Sequence, residues 1–126
     1  MDSAWVLYGG GGRAYSGAEA RLLLRNRMDH GSLETWFVDG AGRMLGVVAN
    51  GERAMVLLLG AAGDPGEHLV DPGAPGDSGG YVLANGQVDV YADRDTVPFD
   101  RACRAVAHLI DVGGWPPDAT VAESDG

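Results

Sequence analysis

Two Asn-Gly pairs, each set between apolar runs, constrain this chain more than any other feature. Asn50-Gly51 separates residues 43–49 from 52–59, and Asn85-Gly86 separates Tyr81-Val82-Leu83 from Val88-Asp89-Val90-Tyr91. A two-residue hairpin turn of type I′ needs positive φ at both central positions, which Asn followed by Gly adopts at little cost. The middle of the chain is thereby committed to antiparallel hairpins. Residues 33–38, ending at Asp39-Gly40-Ala41-Gly42, add a strand ahead of the first pair. Met55-Val56-Leu57-Leu58-Leu59 is unbroken in its apolar character, which predicts a strand covered on both faces.

On either side the apolar period becomes helical. Ser16 with Glu19 three residues later is a capping-box pattern, and Ala20, Leu23, Leu24 and Met28 then recur at helical spacing, predicting a helix over 17–28. Phe99, Ala102, Cys103, Val106, Leu109 and Ile110 fall on one stripe opposite Arg101, Arg104 and His108. That stripe predicts a helix over 98–112, with Pro98 in its first position and Gly113 at its C-cap. Short strands are expected at 4–8, before the break at Gly9 to Gly12, and at 67–70, between the turns Asp64-Pro65-Gly66 and Asp71-Pro72-Gly73. A closing strand is expected at 120–122, after the extended exit Trp115-Pro116-Pro117. Strands grouped between two helices predict an α+β fold. It is a single domain over 1–126 with a largely antiparallel sheet of hairpins and two helices packed on one face. Residues 1–3 and 123–126 are expected to fray.

Charge then narrows the function. Eighteen Asp and Glu against nine Arg and no Lys give a net charge of −9. Such a chain lacks the basic footprint of a nucleic-acid binder and is repelled by anionic membrane surfaces. No apolar run reaches the length of a membrane span, and no secretory signal is recognisable. The single Cys103 excludes an intrachain disulfide and suits the cytoplasm. Residues 64–100 hold Asp64, Glu67, Asp71, Asp77, Asp89, Asp93, Asp95 and Asp100 against Arg94 alone, a net of −7, whereas residues 1–28 are net +2. The acidic run is either a solubility feature or a docking face for a basic partner.

Motifs of catalysis are incomplete. Gly76-Asp77-Ser78-Gly79-Gly80 reproduces the nucleophile motif of trypsin-like serine proteases, and His30 or His68 with Asp39, Asp64 or Asp71 could fill the order His, Asp, Ser. The histidines sit in Asp29-His30-Gly31 and Glu67-His68-Leu69, without the small-residue surroundings of a protease histidine. The glycines are explained by the loop feeding the Tyr81 strand. Gly9-Gly10-Gly11-Gly12-Arg13 lacks the Lys of a phosphate loop. His30, His68 and His108 have no metal-ligand spacing, and Asp89, Asp93 and Asp95 lack the central Gly and distal Glu of a calcium loop. Neither a catalytic constellation, a cofactor nor a metal is expected.

The C-terminal two-thirds carries a family resemblance. Gly63-Asp64-Pro65-Gly66-Glu67, then Gly79-Gly80-Tyr81-Val82-Leu83, then Val97-Pro98-Phe99 opening a helix that ends at Gly113, with the link Trp115-Pro116-Pro117 and the ending Val121-Ala122-Glu123, resembles a family of bacterial immunity proteins. These are small acidic partners of polymorphic toxin systems, common in actinobacteria, whose toxins are often deaminases or nucleases. The resemblance implies a non-enzymatic inhibitor of a basic toxin. It carries no contact residues across; from the acidic run and the strand alternation, contacts are expected at Asp71, Asp77, Asp89, Tyr91, Asp93 and Asp95, with Val88 and Val90 turned toward the second helix and Asp89 and Tyr91 outward. Two alternatives stand beside it. One is a homodimeric structural or regulatory domain joined through a sheet edge or a Trp5/Trp36 surface. The other is a serine hydrolase using Ser78.

Overall fold

The computed structural model describes residues 4–60 and 64–124. Six strands form one continuous antiparallel sheet in the order β1 (Trp5–Leu7), β2 (Glu34–Asp39), β3 (Met44–Ala49), β4 (Arg53–Leu59), β5 (Glu67–Leu69) and β9 (Val121–Glu123). β8 (Val97–Pro98) pairs with the first residues of β4, and β5 with its later ones. β6 (Asp77–Val82) and β7 (Val88–Ala92) make a separate two-stranded sheet. The helices are α1 (Gly17–Asp29) and α2 (Phe99–Val112). The α+β architecture with a largely antiparallel sheet matches the expectation from sequence.

One face of the main sheet packs on both helices. Phe37, Leu45, Val47, Ala49, Ala54 and Val56 alternate onto that face and meet Ala20 and Leu24 of α1 and Ala102, Val106 and Leu109 of α2. The capping box at Ser16 forms as predicted, its hydroxyl accepting from Glu19 N while Glu19 accepts from Ser16 N. α1 approaches α2 so closely that a Cβ at Gly17 would lie 2.5 Å from the Ala107 carbonyl, and Gly17 N donates to Asp111 Oδ1 at 2.8 Å. Glycine is required there by contact rather than by torsion. Pro98 is the N-cap of α2 and not its first turn, because its extended backbone is used in pairing with Arg53.

Both Asn-Gly hairpins form, but not with the turn predicted. No non-glycine residue among those described has positive φ; within the two Asn-Gly turns only the glycines, Gly51 at 101° and Gly86 at 89°, turn left-handed. Each Asn instead accepts a backbone N–H two residues on through its side chain, Asn50 Oδ1 from Glu52 N at 3.0 Å and Asn85 Oδ1 from Gln87 N at 2.9 Å. This Asx turn lets Asn stay in ordinary torsion space.

The β6–β7 hairpin lies on the sheet face opposite the helices. Arg53, Val48 and Glu34 alternate away from the helical core, and each is engaged from that side. Arg53 meets the segment after β7, Glu34 Oε1 accepts Ala84 N at 2.8 Å, and Asn50 Nδ2 donates to Gly79 O at 3.0 Å. Val48 is left 2% exposed. The molecule is thus three layers: helices, sheet, hairpin.

The ends also differ from expectation. Glu123 pairs with Glu67, and Ser124 N donates to Gly66 O at 2.9 Å, so the chain stays in register through Ser124. The expected fraying at 1–3 and 125–126 lies outside the described residues.

Candidate functional site

Arg53 organises the second face. Its Nη2 donates to Asp71 Oδ2 at 2.8 Å and to the carbonyls of Asp93 and Thr96 at 3.0 Å, while Nε donates to Thr96 Oγ1 at 2.9 Å. The Asp93 carboxylate lies 3.8 Å from Nε and accepts the Ser78 hydroxyl at 2.6 Å. One guanidinium therefore gathers the loop at 71, the strand at 78 and the 3₁₀ turn Asp93–Asp95. The planar fork of Arg suits this many-sided task better than a point charge would. The Arg53 hydrogen bond holds the Asp71 carboxyl below its ordinary pKa against a smaller opposing effect of burial, with Arg101, 3.6 Å away, helping.

Beside this cluster two tyrosines form the inner face of the hairpin. Tyr81 and Tyr91 have ring centroids 4.7 Å apart. Burial, then the bond from Tyr91 Oη to Asp89 Oδ2 at 2.9 Å, pushes the Tyr91 phenol up to about 12. Tyr81 is fully buried, and its hydroxyl is the one buried side-chain polar atom among the described residues without a hydrogen-bond partner of good geometry. Burial raises its pKa, opposed by Thr96.

The expected orientation of β7 is reversed. Val88 and Val90 are each 63% exposed, whereas Asp89 and Tyr91 point inward. The alternation holds, but the valines face away from α2, because the hairpin belongs to a different layer from the α2 core. Sidedness in a strand depends on which face is covered, which the period alone does not state. A bulge between Ser78 and Tyr81 completes the inversion, bringing Tyr81 opposite Asp89. Gly76 to Gly80 are accordingly not only a loop, since Asp77–Gly80 already belong to β6.

The six expected contact residues divide. Asp71 and Asp93 face Arg53; Asp89 and Tyr91 face each other; Asp95 is half-exposed and bonded to His68; Asp77 is exposed at the start of β6. The three remaining acids in 64–100 are also employed: Asp64 caps Gly60 and Gly66, Glu67 accepts the Trp115 indole, and Asp100 pairs with Arg25. The Trp5/Trp36 surface is not a surface. Trp5 is 1% exposed, and Trp36 lies over Gly46, where a Cβ would come within 2.6 Å of its ring.

Ser78 has no imidazole bonded to it; its hydrogen goes to Asp93. A serine, a histidine and an aspartate do meet elsewhere, unsuspected from spacing. His68 Nδ1 is 2.9 Å from Ser124 Oγ, and His68 Nε2 is 3.0 Å from Asp95 Oδ1. The nearby N–H groups of Gly66 and Ser124 are spent on Asp64 and on the Gly66 carbonyl. The triplet can relay a proton, and it ties β9 and the 3₁₀ turn to β5. Arg53 and His68 were not singled out in this role because their partners lie far away in sequence. The available signal was a lone Arg opening an apolar strand. Cys103 is buried on α2 as expected, and burial raises its thiol pKa. No three His, Cys, Asp or Glu side chains are grouped to hold a metal ion among the described residues, and no helix there is long and apolar enough to cross a membrane.

In comparisons with known proteins, no family model, no curated protein and no solved structure matches the chain.

Proposed function

We propose that this is a non-enzymatic binding protein of the immunity type, which neutralises a basic toxin by occupying its active-site cleft. The supporting observation is the outer face of β6–β7, where Val88 and Val90 stand exposed while the hairpin is fastened from behind by Arg53, Glu34 and Asn50. Exposed valines on a rigid backing lose little entropy when a partner covers them. The net charge of −9 steers a basic partner toward the molecule, and Asp77 at the start of β6 adds local complementarity. The docking centre moves accordingly from Asp89 and Tyr91 to the valines beside them.

The test is whether the unmodified chain captures a basic, toxin-like protein encoded by a neighbouring gene, and whether V88T/V90T captures it less well. Threonine keeps the β-branched shape and replaces one methyl by hydroxyl, so the strand is retained. Affinity should fall about tenfold or more, equivalent to roughly 1.4 kcal/mol, with an association rate that slows as salt rises. Undiminished capture by the double variant overturns the docking face. Absence of capture and of growth rescue overturns the immunity role. A homodimer through the same valines would instead appear as a concentration-dependent mass lost in V88T/V90T.

A further inference from the structure

We infer that the cavity between α2, β5 and the 116–120 link binds a small organic monoanion, a carboxylate carried on an apolar body. The cavity measures about 570 Å³, within the range of small-molecule sites. Leu69, Val97 and Ala105, all buried, give it an apolar floor. Its rim is the unusual part. In a chain of net charge −9, Arg101 and Arg104 project from successive turns of α2 into one opening. Arg101 keeps only a long contact of 3.6 Å with Asp71, whose nearer partner is Arg53 at 2.8 Å. Arg104 has no carboxylate within 4.0 Å among the described residues and is exposed. The one acid on the rim is Asp118.

Those charges set the ligand class. Asp71 already engages Arg101, which leaves Arg104 as the rim guanidinium without a carboxylate within 4.0 Å among the described residues, a single charge that favours a monoanion over phosphate dianion. Arg presents paired N–H donors that match both oxygens of a carboxylate, and such charge-assisted bonds are strongest near a low-dielectric wall. The apolar floor adds affinity only to a ligand with an apolar body. This site lies on the helix side of the sheet, touches the Arg53 clasp only through the Arg101–Asp71 contact, and does not rest on the proposed docking face.

The probes are benzoate, acetate and inorganic phosphate, titrated into the full chain and followed by amide and Arg side-chain NMR resonances. Benzoate should bind saturably, with shifts concentrated on β5, α2 and the 116–120 link. Acetate, lacking the apolar body, should bind about tenfold more weakly. Arg104→Gln, at an exposed position, should weaken benzoate about tenfold while leaving the spectrum elsewhere unchanged. Shifts that never saturate, an unaffected R104Q, or phosphate binding as tightly as benzoate would each overturn the assignment.

Discussion

The two faces of the sheet are closed by different physics. On the helix side, Phe37, Leu45, Val106 and Leu109 exclude water by apolar packing, and the charged contacts between α1 and α2, Arg25 with Asp100 and Gly17 N with Asp111, only border that core. On the hairpin side, a guanidinium, two carboxylates and two tyrosines do the fastening, with the outer surface left apolar and open. Apolar packing is indifferent to pH and distributes its strength over many contacts. An ionic clasp concentrates it in one side chain. The difference teaches that the hairpin is a separately held layer, able to present a surface without being part of the main core.

Substitutions on the two faces should therefore separate. The largest loss is expected from Phe37→Ala, which removes a fully buried ring and leaves a cavity, costing roughly 3–5 kcal/mol in urea unfolding and loosening all layers together. Arg53→Gln should cost less, about 2–3 kcal/mol, because Asp71 and Asp93 lose their partner while still partly exposed to water. Tyr91→Ala should cost about 1–2 kcal/mol through loss of its stacking on Tyr81, and it should leave α2 unchanged by far-ultraviolet dichroism. A neutral result for Tyr91→Ala would return that ring to the outer surface.

The smallest expected effect is on acid stability. Asp71 has a folded pKa below the ordinary 3.8, so its contribution is fully present above that value and is lost as pH falls through the lower folded one. Asp39 behaves likewise: burial pushes its carboxyl up, but the Arg43 side chain and the backbone N–H groups of Arg43 and Ala41 more than offset it. In Arg53→Gln the larger part of the Asp71 share should go, with Arg101 keeping the remainder, so the decline below about pH 4 flattens while the Asp39 share persists. An unchanged acid slope would mean that the clasp contributes nothing through ionisation.

Local chemistry was legible in the sequence, and layer assignment was not. The Ser16–Glu19 box, the α2 stripe and the alternation of β7 are set by neighbours a few residues apart, and each appears where its pattern places it. The inward turn of Tyr91, the convergence on Arg53 and the His68–Asp95–Ser124 contact depend on pairings across tens of residues. The −7 segment looked like one acidic surface because sequence counts charges without their partners. In the fold, Asp71 and Asp93 share Arg53 from another strand, and Asp71 also meets Arg101. The apolar stripe of α2 makes it the natural partner for Val88 and Val90 when only the sequence is seen. Here the bulge at Gly79-Gly80 and the inward tyrosines reverse the ribbon.

Native-state hydrogen exchange on the unmodified chain and on Arg53→Gln tests the separately held hairpin most directly. If the clasp holds the layer, amides of β6 and β7 should open at lower free energy than those of β3 and α2, and Arg53→Gln should accelerate the hairpin amides alone under conditions where the core still exchanges slowly. Equal acceleration of hairpin, sheet and helix amides, with one common opening free energy in both proteins, would contradict it.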